Sequence, residues 1–150
     1  MRAALAFLIA LAAGCAEPPR GADAPYDRTA VKLEPAERAL VLAEMRNFVQ
    51  AVRGIVEGIG ESDMKAVAAA ARAGGTHAYH AQLAGPGSAA ASLARKVPPD
   101  FRARALATHG AFDEIARHAE QSGDRDQLLG LLADNLRRCV ACHAAYRFPE

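Results

Sequence analysis

The sequence predicts an all-α protein built as an antiparallel four-helix bundle. The composition is rich in alanine, has no Trp and contains few clusters of β-branched residues, which favours helix over strand. Apolar residues recur at steps of three and four along four segments, and Pro, Gly, Ser or Asp residues separate these segments. Four amphipathic helices joined by short or moderate links bury their apolar faces against one another, and this predicts a bundle.

Residues 1–14 are predicted to be a signal peptide. Arg2 precedes an unbroken apolar run of eleven residues, Ala3–Ala13. Such a run is too short to cross a bilayer as a helix but has the length of a signal-peptide core. The chain is therefore expected to be exported.

The signal peptide is predicted to be of the lipoprotein type. Cys15 follows directly after the small residues that end the apolar run, and this arrangement resembles a bacterial lipoprotein cleavage site, where the cysteine becomes the lipidated first residue. Leu11 stands one place earlier than the large aliphatic residue of that pattern. Lipidation at Cys15 predicts a periplasmic protein anchored to a membrane, whereas ordinary signal removal near Ala16 would give a soluble exported protein.

Residues 15–34 are predicted to be a flexible tether, because they contain three prolines and show little apolar periodicity. About 115 residues follow, the length of one small domain, which we place at residues 35–150. The chain has 18 basic and 17 acidic residues, and loss of Arg2 with the signal leaves 17 of each. Because this balance creates no field that attracts nucleic acid, no nucleic-acid partner is expected.

The first predicted helix begins at Pro35, a residue suited to the first turn, and ends near Gly60. Its inward positions are Val41, Met45, Phe48, Val49, Val52, Ile55, Val56 and Ile59. Ser62 is the predicted N-cap of the second helix, and Gly74 is its predicted stop. The inward positions of that helix are Met64, Val67, Ala68 and Ala71.

The stretch from Thr76 to Val97 is interrupted by Gly85-Pro86-Gly87, so residues 89–94 are equally compatible with a helix and with a loop. The third predicted helix begins at Pro98 and ends before Ser122, with inward positions at Phe101, Ala105, Phe112, Ile115, Ala116 and Ala119. The fourth follows directly, with inward positions at Leu128, Leu132, Asn135, Leu136, Cys139, Cys142, His143 and Tyr146.

The strongest functional signal is the pentapeptide Cys139-Val140-Ala141-Cys142-His143. Two thiols at this spacing, followed at once by an imidazole, are typical of a c-type haem attachment site. Each thiol can add across one haem vinyl group, and the adjacent histidine can bind the iron as its proximal axial ligand. The expected cofactor is therefore one haem c, covalently bound through Cys139 and Cys142, with His143 as an iron ligand.

Zinc binding and dithiol redox chemistry are the competing interpretations of a paired-cysteine motif. Structural zinc usually needs a second pair of closely spaced ligands, but the remaining thiol is Cys15, inside the predicted export signal. A thioredoxin-like dithiol would lie near a βαβ pattern, and the sequence contains no convincing strand. Haem attachment is the favoured interpretation.

The position of the motif on the last helix predicts the direction of its three side chains. Cys139 and His143 are one turn apart, and Cys142 lies three residues from Cys139, so all three are expected to point into the bundle. The fold class is therefore an antiparallel four-helix bundle in which a covalently bound haem replaces part of the core.

The chain resembles the class II c-type cytochromes, the cytochrome c prime family. The resemblance covers about residues 35–148 and rests on the attachment motif at 139–143, on the ending Ala144-Ala145-Tyr146-Arg147 and on the four-helix pattern. It implies a haem whose proximal ligand is His143 and whose second axial position is either empty or filled by a methionine from the first helix. Family members often dimerise through an apolar helix face, so the resemblance also suggests that the chain forms a homodimer.

Met45 is the candidate for the second axial ligand. If the helices alternate in direction, the end of the fourth helix lies beside the start of the first. Met45 lies roughly 15 Å along the first helix, on its inward face, near the height expected for the iron. The alternative is that Met45 only packs against the porphyrin. Three histidines are also candidates for this position: His77, His80 and His109.

Haem propionates need cationic or hydrogen-bonding partners when they are partly buried. Arg147, one turn beyond His143, is the preferred candidate through its place in the family-like ending, and a solvated side chain is the alternative. Arg38, Arg46 and Arg102 are further candidates.

The function expected from the sequence is electron transfer, not enzymatic catalysis. A haem ligated by His143 and Met45 would change its redox state with little rearrangement, and a thioether ligand raises its potential. The partners would be periplasmic redox proteins. The alternative is a five-coordinate haem protein that binds NO or CO.

Overall fold

The computed structural model describes residues 28–83 and 89–149, and these residues are mostly helical. The helices are α1 (Pro35–Glu61), α2 (Met64–Ala73), α3 (Thr76–Leu83), α4 (Ala89–Lys96), α5 (Pro99–Gln121) and α6 (Arg125–Ala145). Two two-residue strands, β1 (Thr29–Ala30) and β2 (Tyr146–Arg147), complete the described elements. The prediction of an all-α protein is confirmed at the level of fold class.

The predicted signal peptide, Cys15 and most of the predicted tether lie outside the described residues. The last part of the tether contacts the helical domain. Thr29 and Ala30 pair in parallel with Tyr146 and Arg147, and the next residue, Val31, is buried. This pairing attaches the segment before α1 to the segment after α6.

Helix α1 begins where the sequence predicts, with Pro35 in its first turn and a capping box in front of it. The backbone N–H of Glu34 donates to the Glu37 carboxylate at 2.9 Å, while the Glu34 side chain accepts from the backbone of Glu37. The helix ends at Ser62, whose φ of 59° is left-handed. Ser62 is therefore the C-cap of α1 and not the predicted N-cap of α2.

The N-cap of α2 is Asp63, whose carboxylate accepts the backbone N–H of Ala66 at 3.0 Å. Asp124 has the same role at α6, where it accepts the backbone N–H of Gln127 at 2.9 Å. Asp113 of α5 acts across helices: its carboxylate accepts the backbone N–H and the hydroxyl of Thr76, the first residue of α3.

Four of the helices pack in chain order: α1 contacts α2, α2 contacts α5, and α5 contacts α6. Their buried side chains form one core, in which the largest fully buried members are Phe112, Ile55, Ile115, Leu128 and Val67. Glycines allow the closest approaches. A Cβ at Gly58 of α1 would lie 2.8 Å from Val67 Cγ2 of α2, and one at Gly74 would lie 2.8 Å from the Phe112 ring.

Most predicted inward positions are buried or half-buried, but four are exposed: Val49, Val56, Leu136 and His143. Val49 is 67 % exposed, Val56 is 51 % exposed and Leu136 is 41 % exposed. Val49 and Leu136 line a cavity, so their exposure follows from the open space beside them. Val56 lies on the opposite side of α1 from Gly54 and Gly58, the glycines that approach α2.

Within 28–83 and 89–149, no helix combines the length and the apolar character needed to cross a membrane.

Candidate cofactor site

A cavity of about 600 Å³ lies between α1 and the C-terminal part of α6. Side chains from α3, α4 and α5 complete its wall, and most of the lining is apolar. Its volume falls within the range typical of small-molecule and cofactor sites. Four residues that the sequence predicts for the site line this one cavity: Met45, Cys139, Cys142 and His143.

Helix α6 presents the attachment motif to the cavity. Leu128, Leu132 and Asn135 are buried on one face of this helix, and the same face continues through Cys139 and Cys142, which are half-buried. The spacing of three and four residues thus brings both thiols to the cavity, as predicted. His143, one turn beyond Cys139, also lines the cavity.

The two thiols are held in the neutral form. Burial raises the pKa of Cys139 and of Cys142 above the ordinary cysteine value, and the positive charge of Arg104 only partly opposes this at Cys142. Redox-active dithiols instead depend on a lowered pKa, because the thiolate is the reactive form. The direction of these two shifts is opposite to the one that favours thiolate chemistry.

Met45 lies on α1, across the cavity from α6, and packs against the edge of the hydrophobic core. The position agrees with the sequence argument that this part of the first helix is level with the end of the last. Phe48 and Val52 continue the same wall one and two turns further along α1. A thioether among apolar neighbours can act as a soft ligand to a metal.

His109 also lines the cavity, but its ring nitrogens and ring faces already contact other residues. Only 1 % of the residue is exposed. Its Nδ1 lies 2.7 Å from the carbonyl oxygen of Gly74, and its Nε2 lies 3.8 Å from a carboxylate oxygen of Glu44. The rings of Phe48 and Tyr79 contact its faces, with centroids at 4.9 and 4.7 Å. His109 is therefore a core histidine beside the site.

The other two candidate histidines do not reach the site. His77 and His80 are exposed on α3, and the residue of α3 that lines the cavity is Tyr79.

Arginine side chains line one end of the cavity. Arg147, Arg38 and Arg102, three of the four predicted candidates, lie there. Arg46 is exposed and is not part of the lining. Sequence reasoning missed two further lining arginines, Arg28 and Arg104. Arg28 lies before the first predicted helix, and Arg104 is not among the predicted inward positions of the third.

A polar cluster beside Cys142 was also not predicted. The Asp100 carboxylate accepts the Tyr146 hydroxyl and the Arg104 Nε, each at 2.8 Å. These bonds lower the pKa of Asp100, with Arg104 the larger cause. The same carboxylate raises the pKa of Tyr146. The cluster fixes the start of α5 against the end of α6, next to the attachment motif.

A second unpredicted cluster holds α4 against α1 and so fixes one wall of the cavity. Glu37 is 3 % exposed and accepts the Ser92 hydroxyl at 2.7 Å and the Lys96 ammonium at 3.0 Å. The bond from Ser92 is the largest cause that lowers the pKa of Glu37 to about 2, followed by the Glu34 backbone and Lys96. We call Glu37, Ser92 and Lys96 the α1–α4 clasp.

No group of three or more His, Cys, Asp and Glu side chains in the described part of the chain is arranged to hold a metal ion by itself. A haem iron differs from such a site because the porphyrin supplies four of its donors, so one or two protein side chains complete its coordination.

Comparison of the chain with protein-family models, with curated proteins and with solved structures gave no match.

Proposed function

We propose that this chain is an exported monohaem c-type cytochrome, similar to the class II cytochromes, which carries single electrons between periplasmic partner proteins. The observation that supports this most directly is the common cavity. Cys139, Cys142, His143 and Met45 come from opposite ends of the domain sequence, yet all four line one largely apolar space of about 600 Å³.

The residues present fit a covalently bound haem. Cys139 and Cys142 would hold it through thioether bonds, His143 would be the proximal iron ligand, and Met45 would be the sixth ligand. When bound, the haem supplies an iron that accepts and releases one electron. The apolar lining would keep water away from the bound group, and a thioether ligand from Met45 would favour its reduced state.

The proposal includes the finer architecture. Helices α1, α2, α5 and α6 would form the antiparallel four-helix bundle, and α3 and α4 would bridge its middle connection. The contacts from α1 to α2, from α2 to α5 and from α5 to α6 support this arrangement. The weak direct contact between α1 and α6, which leaves the cavity between them, supports a bundle in which a haem takes the place of side chains.

Arg147 would pair with a haem propionate, and Arg38 and Arg102 are neighbours at the same end of the cavity. Export and lipidation of Cys15 are proposed from the sequence alone. A five-coordinate haem protein that binds NO or CO is the alternative function, and it differs by leaving the position of Met45 free for a gas ligand.

The test is expression together with a c-type maturation system, followed by extraction with acidified acetone. We expect the pigment to stay with the polypeptide, the mass of the chain to increase by one haem, and the bound group to undergo reversible one-electron reduction. The matched control is the double variant Cys139→Ala/Cys142→Ala, from which the pigment should be extracted. Pigment that leaves the unaltered chain would disprove the proposal.

A further inference from the structure

The charges of the described residues are unevenly distributed. We define the cavity end as residues 28–38, 95–104 and 144–149, where α1 and α5 begin and α6 ends. It contains eight basic and three acidic side chains, while the rest of the described residues contain eight basic and ten acidic ones. A chain with a formal net charge of only +1 is therefore strongly positive at one end.

The arginines that line the cavity are placed at its opening, since four of the five are exposed: Arg28, Arg102, Arg104 and Arg147. Within the described residues, Arg104 is the one of these that forms an ion pair, with Asp100. Three others donate to backbone carbonyls: Arg28 to His143, Arg38 to Pro149 and Arg102 to Ala94. A neutral acceptor fixes the position of a guanidinium without cancelling its charge.

Propionates do not account for all of this charge. A haem carries two of them, which leaves a surplus of lining cations over carboxylates. Lys32 and Arg95 add two exposed charges at the cavity end outside the lining. The N-termini of α1 and α5 lie at the same end and contribute further partial positive charge.

We infer that the cavity end is a docking surface for an acidic partner protein, one that presents clustered carboxylates. This inference rests on the proposed function, because the same end holds the attachment motif and is where an electron would enter or leave. Guanidinium groups bind carboxylates in a bidentate geometry. An oppositely charged partner would be steered to this end and oriented there, which raises the rate of productive encounter.

An anionic membrane surface has the same sign of charge as an acidic protein. The structure favours a protein because the cations surround the opening of a cavity and do not cover one flat helix face. Contact with a protein brings a redox group near that opening, whereas contact with lipid headgroups does not.

The test measures binding of the purified holoprotein to a dye-labelled acidic blue copper protein by fluorescence anisotropy, at low and at physiological ionic strength. We expect binding at low salt that weakens by at least about threefold as salt is raised. The variant Lys32→Glu/Arg95→Glu, which reverses two exposed charges at the cavity end, should bind at least about tenfold more weakly. Neither residue lines the cavity.

The matched control is Lys65→Glu/Arg125→Glu, which makes the same change in net charge at the opposite end of the molecule. It should bind within about twofold of the unaltered protein. Equal losses in the two double variants, or no binding of the acidic protein at low salt, would overturn the inference. So would tighter binding to vesicles that contain phosphatidylglycerol than to the acidic protein.

The anisotropy experiment measures binding and not electron transfer. A negative result therefore bears on the docking surface and not on the proposed cytochrome function. Loss of pigment in acidified acetone would disprove the cytochrome, and absence of charge-dependent binding in a pigmented protein would disprove only the docking surface.

Discussion

Single side chains at the cavity divide into those that face the open space and those that support it. Met45 and His109 both line the cavity, but the His109 Nδ1 is bonded to the carbonyl oxygen of Gly74. The sequence places both residues at about the same depth in their helices and favours Met45 as the candidate ligand. The difference arises from packing, because the rings of Phe48 and Tyr79 cover His109.

Met45→Ala and His109→Leu are therefore expected to have opposite effects. Met45→Ala should convert a low-spin haem into a high-spin one, because the sulfur ligand is lost, and the methionine–iron band near the red edge of the absorption spectrum should disappear. His109→Leu should leave the spectrum low-spin but destabilise the fold by about 1–3 kcal/mol, because the buried Gly74 carbonyl loses its partner.

The matched control for the second variant is His77→Gln, an exposed substitution expected to change stability by less than about 0.5 kcal/mol. A high-spin His109→Leu protein together with a low-spin Met45→Ala protein would reassign the ligand to His109. A high-spin unaltered protein whose spectrum shifts with CO would instead favour the gas-binding alternative.

Glu37 gives stability a definite pH dependence. Its pKa is about 2 in the folded protein against an ordinary value of 4.5, so the charged form is favoured by folding. Its contribution is complete above pH 4.5 and is lost as the pH falls towards 2. We expect Glu37→Gln to be less stable than the unaltered protein at neutral pH, with a difference that shrinks below pH 4.5.

Urea unfolding at a series of pH values measures this difference. The control is Glu57→Gln, which removes an exposed carboxylate that pairs with Arg53 on the same helix and should have a smaller effect. A difference for Glu37→Gln that stays constant down to pH 2 would contradict the role of the charged clasp.

At the scale of helices, the sequence predicts the long elements better than the short ones. The start of α1 at Pro35 and that of α5, at Pro99 where Pro98 is predicted, follow from the prolines. The inward face of α2 follows from the period of apolar residues. Helices α3 and α4 have eight residues each, too few for a clear period. The start of α3 depends on Asp113, which lies 37 positions away in the chain.

The approach of α1 to α2 depends on Gly58. A Cβ there would lie 3.0 Å from the backbone nitrogen of Val67 and 3.1 Å from the Asp63 carbonyl. Because backbone atoms cannot move aside as side chains do, Gly58→Ala should destabilise the protein by about 1–3 kcal/mol. Gly60→Ala is the control, since nothing lies within 4 Å of its added methyl group.

Gly60→Ala should be neutral or should stabilise by up to about 1 kcal/mol, because alanine loses less conformational entropy in a helix. Thermal unfolding of the two variants compares them directly. Equal effects at the two positions would show that the space at Gly58 does not limit how closely these helices pack.

In the whole molecule, the cavity lies between α1 and the C-terminal part of α6, beyond the packed hydrophobic core. The core around Ile55, Val67, Phe112 and Ile115 joins α1, α2 and α5, whereas the C-terminal part of α6 borders empty space. Removal of the cofactor is therefore expected to affect these parts differently.

Hydrogen exchange of the unaltered chain expressed without the maturation system, and so without covalently bound haem, should show this difference. Amides of residues 136–145 should exchange at least about tenfold faster than in the holoprotein, while those of α2 and the middle of α5 change little. Uniformly faster exchange would indicate that the cofactor stabilises the entire fold, and unchanged exchange would indicate that it contributes nothing to α6.

The position of Cys139, Cys142, His143 and Met45 around one cavity could be predicted from spacing and helix order. The α1–α4 clasp, the Asp100 cluster and the positive charge of the cavity end could not be predicted. Each brings together side chains that are distant in the chain and share no periodic spacing. Arg104 and Tyr146 illustrate this. Both donate to the Asp100 carboxylate, although they lie far apart in the chain and no sequence pattern links them.

The pairing of β1 with β2 has a consequence for biogenesis. Thr29 and Ala30 precede all six helices in the chain, and their partners Tyr146 and Arg147 follow them. This ladder can form only after the whole domain has been synthesised, and it begins three residues after His143. The two ends of the domain therefore join beside the pentapeptide only after all of its residues have been made, so the proposed attachment of haem at 139–143 would take place where the chain closes on itself.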